Sequence, residues 1–439
     1  MHPFKRSAVV AWVAVVLLRG AAAWADEPAT ASTAANAPEP GLWTRDTLLG
    51  DMGGLRPVLE DKGITLGLQE TDEYLRVTSG GLRQGGTYLG QTLVTLNVDT
   101  GKALGLKGGT FFMSGLQLHG HKDTLTGAHI GGLQTASSIE AERGTRLWEL
   151  WYQQAFAGDK ADVRVGQQAA DQEFMVSEYG TPFMNAMFGW PALPSVDLPG
   201  GGPAYPLSLL GLRVRYQAGD RVTLLGGIYN GRPAGRRADD DAQQGDRHGT
   251  NFRLGDAPLL IAELQYRTHP VPAQGEPDGL PGSYKVGAWI HTGRFADSSD
   301  PSRMHRGDYS LYAMADQMLW RATAGHRSVA VFARAMGAPA NRNLVDFSAD
   351  AGITLTAPFG DRAGDVLGLG IGYARIGNPA ALQRHGGGET FVEATYKVQI
   401  APWWSLQADA QYYVHPSGTS SALPLRNAVI LGLRTTLTF

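Results

Sequence analysis

Apolar and polar residues alternate with a period of two along most of the chain. Near the C-terminus, Val429, Leu431 and Leu433 fall on one side of an extended segment, whereas Gly432 and Arg434 fall on the other. Successive side chains of a strand point to opposite faces, so the alternation predicts strands that separate an apolar medium from a polar one.

Sixteen segments carry this pattern, near residues 64–77, 87–99, 109–119, 145–157, 161–168, 208–217, 220–230, 258–268, 283–293, 308–320, 327–336, 345–356, 365–376, 389–400, 403–414 and 426–439. Long connections mostly follow the odd-numbered segments, whereas short ones mostly follow the even-numbered segments. The long connection 269–282 is an exception. Bacterial outer-membrane barrels alternate in this way between outer loops and periplasmic turns. We therefore predict an all-β fold, a transmembrane antiparallel up-and-down β-barrel of about 16 strands with periplasmic termini.

A soluble β-sandwich also alternates, so the composition of the apolar face decides between the two folds. That face often ends in an aromatic residue, and outer-membrane barrels carry aromatic girdles at both interfaces; the examples are Tyr216, Tyr266, Tyr373, Tyr396, Tyr412 and Phe439. The first segment is less regular, because Glu70 and Asp72 interrupt its apolar face. The aromatic residues favour the membrane barrel.

The N-terminus has the features of an export signal. Lys5 and Arg6 precede an apolar run at 8–18, and small residues end the segment at Ala25. We expect residues 1–25 to be a signal peptide, because Arg19 leaves the run too short for a membrane anchor. Residues 26–41 are an Ala- and Pro-rich leader, and residues 42–439 form the barrel domain.

Composition excludes several other functions. The 439 residues carry a net charge of −3 and no cysteine, which disfavours nucleic-acid binding and excludes disulfides and thiolate metal sites. The 58 glycines argue against a helical fold. Nucleophile-elbow, P-loop and zincin motifs are missing. We therefore expect a protein that is not an enzyme and needs no cofactor.

Two clusters could bind metal but have simpler interpretations. His119, His121 and His129 are expected in an outer loop, where they are more simply polar loop residues than ligands. Arg236 and Arg237 precede the acidic run 239–241, and the simplest interpretation is a solvated loop tip rather than a calcium site. The glycines of 368–372 are expected to leave space in a lumen. We expect no metal site.

Charged residues on the polar face are the first candidates for lining the pore. A charge facing lipid at mid-membrane costs about 2–4 kcal/mol, so these side chains should point inward. The alternative is a ladder of charges that only hydrates the wall. Replacing Arg213 by alanine is expected to change solute flux without affecting assembly. The candidates are Arg164, Arg213, Arg215, Glu263, Arg267, Asp350, Glu393, Lys397 and Asp409.

The segment 169–207 is expected to be an extracellular loop folded into the lumen. It concentrates aromatic residues, among them Phe188, Trp190 and Tyr205, together with six prolines. Outside the barrel these rings would expose an apolar patch. Inside it they could stack on a sugar ring. Alternatively, they form a structural plug packed on the wall.

Dispersed motifs support a family assignment. They include LGDMGGLR at 49–56, RLWELWY at 146–152, FGWP at 188–191 and GPAYP at 202–206. In these motifs the chain resembles the carbohydrate-selective porins of the OprB type in Gram-negative bacteria. The resemblance implies facilitated passive diffusion of monosaccharides such as glucose, or of other sugars, across the outer membrane, with sugars and membrane lipid as partners.

The sequence is also compatible with two other functions and with two kinds of protein partner. One alternative is a general or anion-preferring porin, and the other is a membrane-embedded hydrolase that uses Ser137 or Ser138 with His129. The terminal Phe439 resembles the sorting signal read by the outer-membrane assembly machinery. Association into a homo-oligomer is a further possibility.

Overall fold

The structure is a computed structural model that describes residues 41–233, 241–270, 279–360, 362–377, 387–418 and 425–439. The expected signal peptide, the leader up to residue 40, and the charged residues Arg236 and Arg237 with 239–240 lie outside these ranges. None of the described helices is long and apolar enough to cross a membrane.

Sixteen strands form one closed antiparallel barrel, in which each strand pairs with its neighbours in sequence and β1 pairs with β16. The strands are β1 (Ile64–Gly81), β2 (Gly85–Asp99), β3 (Gly109–Gly120), β4 (Gly144–Phe156), β5 (Ala161–Gln168), β6 (Leu209–Gln217), β7 (Val222–Tyr229), β8 (Leu259–Thr268), β9 (Gly282–Ala296), β10 (Met304–Arg321), β11 (Ser328–Gly337), β12 (Val345–Thr356), β13 (Val366–Ile376), β14 (Gly388–Ala401), β15 (Trp404–Val414) and β16 (Arg426–Thr438). The fold prediction is confirmed: all sixteen segments are strands, with ends within four residues of those expected from the alternation.

The alternation follows the two faces of the wall. In β8, Ile261 and Glu263 are buried inside the barrel, whereas Leu260 and Leu264 lie exposed on its outer face. Leu431 and Leu433 of β16 are exposed in the same way. The polar faces of the strands therefore point into the lumen.

The described residues include four short α-helices outside the strands. They are α1 (Leu55–Asp61), α2 (Thr100–Leu104), α3 (Ala192–Asp197) and α4 (Ala242–Gly245). The Asp99 carboxylate caps α2 by accepting hydrogen bonds from two backbone N–H groups, and Gly105 ends that helix in a left-handed conformation. This turn joins β2 to β3 at the end of the barrel where β1 begins and β16 ends.

Two long connections at the other end fold into the lumen. The inward segment, residues 169–208 between β5 and β6, buries Phe174, Met175 and Leu193. The second inward segment, residues 121–143 between β3 and β4, buries Leu125 and Ile130. The structure places 169–207 inside, as expected, and adds a second segment that the sequence did not reveal.

Glycines of β13 make room for the inward segment. An added Cβ at Gly368 would lie 2.9 Å from the ring of Phe183, and one at Gly370 would lie 2.5 Å from the ring of Phe188. A Cβ added at Gly372 would likewise lie 2.2 Å from the ring of Phe391, which belongs to β14. The expectation that these glycines open the pore is therefore wrong: their missing side chains are replaced by phenylalanine rings.

We predict that Gly370→Ala destabilises the protein by about 1–3 kcal/mol, because the new methyl group collides with the packed Phe188 ring. The measurement is the unfolding temperature of the purified protein in detergent. Gly226→Ala is the matched control, since a Cβ there meets no atom within 4 Å. Equal unfolding temperatures for the two variants would contradict this packing.

Candidate functional site

A cluster of charges lies on the inner faces of β5 and β6. The register places Arg164 opposite Arg213 and Asp162 opposite Arg215. Asp162 forms ion pairs with Arg213 and with Arg215, the second with an Nε–Oδ2 distance of 2.6 Å. Glu173 of the inward segment pairs with Arg164 at 2.7 Å and with Arg213 at 3.1 Å. Three guanidinium groups thus share two carboxylates.

An aromatic platform extends this cluster across β3 and β4. The Arg164 guanidinium carbon lies 3.8 Å from the centre of the Trp151 ring, which is a cation–π contact. Trp151 stacks in turn on Phe112, with ring centres 4.7 Å apart. Gln153 joins the same surface, because its amide oxygen accepts hydrogen bonds from Arg164 and Arg213. The Arg164 guanidinium therefore lies over the Trp151 ring, and Phe112 extends the aromatic surface in the lumen.

The three arginines differ in their access to the lumen. The Arg213 side chain is only 2% exposed, whereas Arg164 is 13% and Arg215 is 33% exposed. Arg213 is therefore a residue that holds the cluster together, and Arg164 and Arg215 are the ones that a solute could contact. The contacts lead us to expect that Arg213→Ala destabilises the barrel rather than leaving assembly intact, because Asp162 and Glu173 each lose one ion-pair partner.

Other predicted pore residues hold the inward segment against the opposite wall. Glu263 accepts a hydrogen bond from the Met175 backbone N–H at 2.8 Å. Glu393 accepts two, from the backbone N–H groups of Met184 at 2.6 Å and Asn185 at 2.9 Å. These buried carboxylates take backbone donors that would otherwise have no partner in the lumen. Their first role is to anchor the segment.

The Arg334–Asp350 pair has the same anchoring function. Arg334 contacts Asp350 at 3.0 Å and donates hydrogen bonds to the carbonyl oxygens of Met175, Met187 and Gly189 at 2.6–2.8 Å. Asp350 was expected from the sequence, whereas Arg334 was missed. Alternation along β11 places Arg334 on the inner face, and the register then sets it opposite Asp350.

The remaining predicted charges lie apart from the cluster. Asp409 is buried on β15, where it accepts a hydrogen bond from Gln411 at 2.9 Å. Lys397 is half-buried on β14, and Arg267 is exposed near the end of β8. The structure therefore brings Arg164, Arg213 and Arg215 together in the cluster and leaves the other predicted charges outside it.

The three predicted aromatic residues are packing residues in this structure. Phe188 is 2% exposed and lies edge-on to Phe332 and Phe391. The buried Trp190 indole donates a hydrogen bond to the Gly201 carbonyl at 2.9 Å. The Tyr205 hydroxyl donates to the Ile139 carbonyl at 3.1 Å and so links the two inward segments. The alternative of a structural plug describes these contacts better than a stacking surface does.

The serines considered for hydrolysis have structural partners. Ser137 donates a hydrogen bond to Glu73 at 2.7 Å, and Ser138 accepts one from Arg434 at 2.8 Å. Neither serine is hydrogen-bonded to His129 in the described chain. The arrangement gives no support to a serine nucleophile.

The structure also describes predicted histidines and Asp241, which is the last residue of the acidic run. His119 belongs to β3 rather than to a loop, and His121 packs edge-on to Tyr88. Asp241 caps α4 by accepting hydrogen bonds from two backbone N–H groups.

Comparison with known proteins decides the family. The profile described as "Carbohydrate-selective porin, OprB family" matches residues 83–439. The chain belongs to this family. Porin B of Pseudomonas aeruginosa is 22% identical over 431 residues, which cover 88% of this chain and 90% of Porin B.

Solved structures share the architecture of this porin. The high-pH structure of Pseudomonas putida OprB gives a TM-score of 0.77 at 19% identity and covers 91% of this chain and all of that one. The low-pH structure of the same protein gives 0.58 at 16% identity, covering 90% of this chain and 99% of that one. Family and fold together identify the porin as an outer-membrane channel.

We predict that the double variant Arg334→Met, Asp350→Asn loosens the inward segment. It removes three hydrogen bonds from a charged group, each worth about 1.5–3 kcal/mol, without leaving an unpaired buried carboxylate. Single-channel recordings should show a higher and noisier conductance. The control is Arg375→Met, which breaks the exposed pair with Asp346 on the outer face. Unchanged conductance in the double variant would contradict the anchoring role.

We also predict a pH effect in the second inward segment. Burial raises the pKa of the Glu140 carboxyl to about 7, against the opposing effect of hydrogen bonds from Thr126. Since the ordinary value is 4.5, the folded segment binds this proton more tightly than the unfolded one. Its stability should therefore be greatest below about pH 4.5 and fall as the pH rises through about 7.

Hydrogen exchange of residues 121–143, corrected for the intrinsic rate at each pH, measures this effect. Glu140→Gln should remove the dependence, whereas the exposed control Glu60→Gln should keep it. A dependence that persists in Glu140→Gln would assign it to another group.

Proposed function

We propose that this porin passes neutral monosaccharides such as glucose, and related sugars, down their gradient by facilitated diffusion. The observation that carries the proposal is the platform of Trp151 and Phe112 beside the Arg164–Glu173 pair. A pyranose has an apolar C–H face and a rim of hydroxyl groups. An aromatic ring beside fixed donors and acceptors matches both parts of such a ligand.

The charges of the cluster suit a hydroxylated solute. Arg164 and Arg215 offer N–H donors, and Glu173 offers carboxylate oxygens, within one surface of β5, β6 and the inward segment. Internal pairs already use much of the bonding capacity of Arg164 and Glu173, whereas Arg215 bonds Asp162 through Nε. A sugar therefore exchanges its water for weak, replaceable contacts, which allows it both to enter and to leave.

The topology and export of the chain belong to the same proposal. The signal peptide 1–25 is removed on export, and both termini face the periplasm. The Phe439 backbone N–H donates to the Leu68 carbonyl at 3.1 Å, so the last residue adjoins β1. A terminal aromatic at this closing seam is suited to recognition by the assembly machinery.

A general or anion-preferring porin is the second candidate function. The observation in its favour is that three arginines share two carboxylates in the cluster, which leaves a positive excess there. An anion would contact Arg215, the most exposed of the three.

The two functions are separated by bilayer conductance and liposome swelling. We predict that glucose blocks the ion current and that Trp151→Ala weakens the block by about 2- to 12-fold, a loss equal to an aromatic contact of about 0.5–1.5 kcal/mol. The matched control is Tyr152→Ala, which removes the neighbouring ring from the outer face. Swelling rates over a series of sugars then give the preferred solute.

Three outcomes would count against sugar selectivity. A polymer of similar size that blocks as well as glucose indicates a sieve without recognition. Strong anion selectivity in reversal potentials, without glucose block, supports the second function. Equal block in the Trp151 and Tyr152 variants removes the platform from the binding surface.

A further inference from the structure

Two acidic residues of β1 project from the outer wall of the barrel. Glu73 points inward, since it bonds Ser137 and Arg434 in the lumen, so its neighbours Asp72 and Tyr74 point outward. Tyr74 is accordingly 47% exposed. Glu70 shares the face of Asp72. These are the same two carboxylates that break the apolar pattern of the first segment.

The strand register brings a histidine to them. Asp72 pairs with Gly90 of β2, and Gly90 pairs with His119 of β3. A Cβ at residue 90 would lie 2.1 Å from His119 Nε2. The missing side chain of Gly90 therefore lets the imidazole lie across β2 and reach β1. His119 is one residue from the end of β3 that joins the second inward segment.

Three ligand atoms converge there. His119 Nε2 lies 3.3 Å from Glu70 Oε1 and 3.5 Å from Asp72 Oδ1, and all three atoms lie within 4.8 Å of one another. Tetrahedral bonds of about 2.0–2.1 Å place neighbouring ligand atoms about 3.3–3.4 Å apart. The two distances to Nε2 are thus close to the edges of a metal coordination shell. We call these three residues the outer-wall cluster.

Neighbouring groups orient each member of the outer-wall cluster. His119 Nδ1 lies 2.8 Å from the Gln117 amide oxygen, an acceptor that places the ring proton on Nδ1. Thr92 donates to Glu70 Oε2, and Tyr88 donates to Asp72, each at 2.5 Å. A metal-ligating histidine is typically fixed in this way by its second ring nitrogen. The Nε2 lone pair then faces two carboxylate oxygens.

One of those oxygens has no other partner. Glu70 Oε1 is buried and accepts no hydrogen bond in the described chain, although it points into the cluster. Three acceptor atoms without a positive charge between them repel one another, and a buried carboxylate oxygen without a donor is costly. A cation at their centre would give Glu70 Oε1 a partner and would replace the repulsion between the three atoms by attraction.

We propose that Glu70, Asp72 and His119 bind a divalent transition ion of the Zn²⁺ type on the outer wall of the barrel. The ion crosslinks β1 to β3 over β2, with three protein ligands and a fourth position open to the surroundings. The site lies outside the lumen, so it is independent of the channel function.

Calorimetry with Zn²⁺ on the untagged, chelator-treated full-length porin in detergent tests the proposal. We expect one Zn²⁺ per chain, at least about tenfold weaker binding in Glu70→Gln and His119→Ala, and about 10- to 100-fold weaker binding in Gln117→Ala. Co²⁺ in place of Zn²⁺ should give the visible absorption of a four-coordinate ion. His121→Ala is the matched control and should bind as the wild type does.

Other outcomes overturn the site. If the wild-type chain binds no Zn²⁺, the cluster is held by a proton on His119 and not by a metal. If Glu70→Gln binds Zn²⁺ as tightly as the wild type, the ion lies elsewhere. Glu70→Gln keeps the size of the side chain, so it tests whether Zn²⁺ binds at the outer-wall cluster even if His119→Ala does not assemble. Glucose block should be unchanged in both variants.

Discussion

The pairing of β1 with β16 is the interaction on which the rest of the structure depends. Hydrocarbon offers no partner to a backbone N–H or C=O group, so a sheet in a membrane must have no free edge. Closure meets this requirement and at the same time divides space into an apolar outside and a polar inside. The polar face of each strand then needs partners of its own, and the two inward segments supply many of them.

The lumen wall thus has two kinds of polar residue that look alike in sequence. One kind bonds the backbone of the inward segment: Glu263 and Glu393 accept hydrogen bonds from its N–H groups, and Arg334 donates to its carbonyl oxygens. Arg164 and Arg215 retain some exposure beside the Trp151 ring. Alternation identifies the face that a charge occupies, but only the path of the inward segment decides between anchoring and contact with solute.

The strands were predictable because alternation is a local property, and all sixteen segments were recovered. The site was predictable only in part. Arg164, Arg213 and Arg215 share a face on adjacent strands, so their clustering follows from the register. Glu173 lies in a connection without periodicity, and no local signal marks it. Glu70 and Asp72 were visible as a break in the pattern, but finding His119 required the register of β1, β2 and β3.

The inward segment leaves the wall at β5, yet its anchors stand on β8, β11 and β14. Residues that secure it are therefore separate from the charged and aromatic cluster on β4 to β6. Substitutions in that cluster can therefore change the polar surface of β4 to β6, while the contacts that hold the inward segment across the barrel stay intact. Because the two sets of residues stand on different parts of the wall, the sequence of one can vary without loosening the contacts of the other.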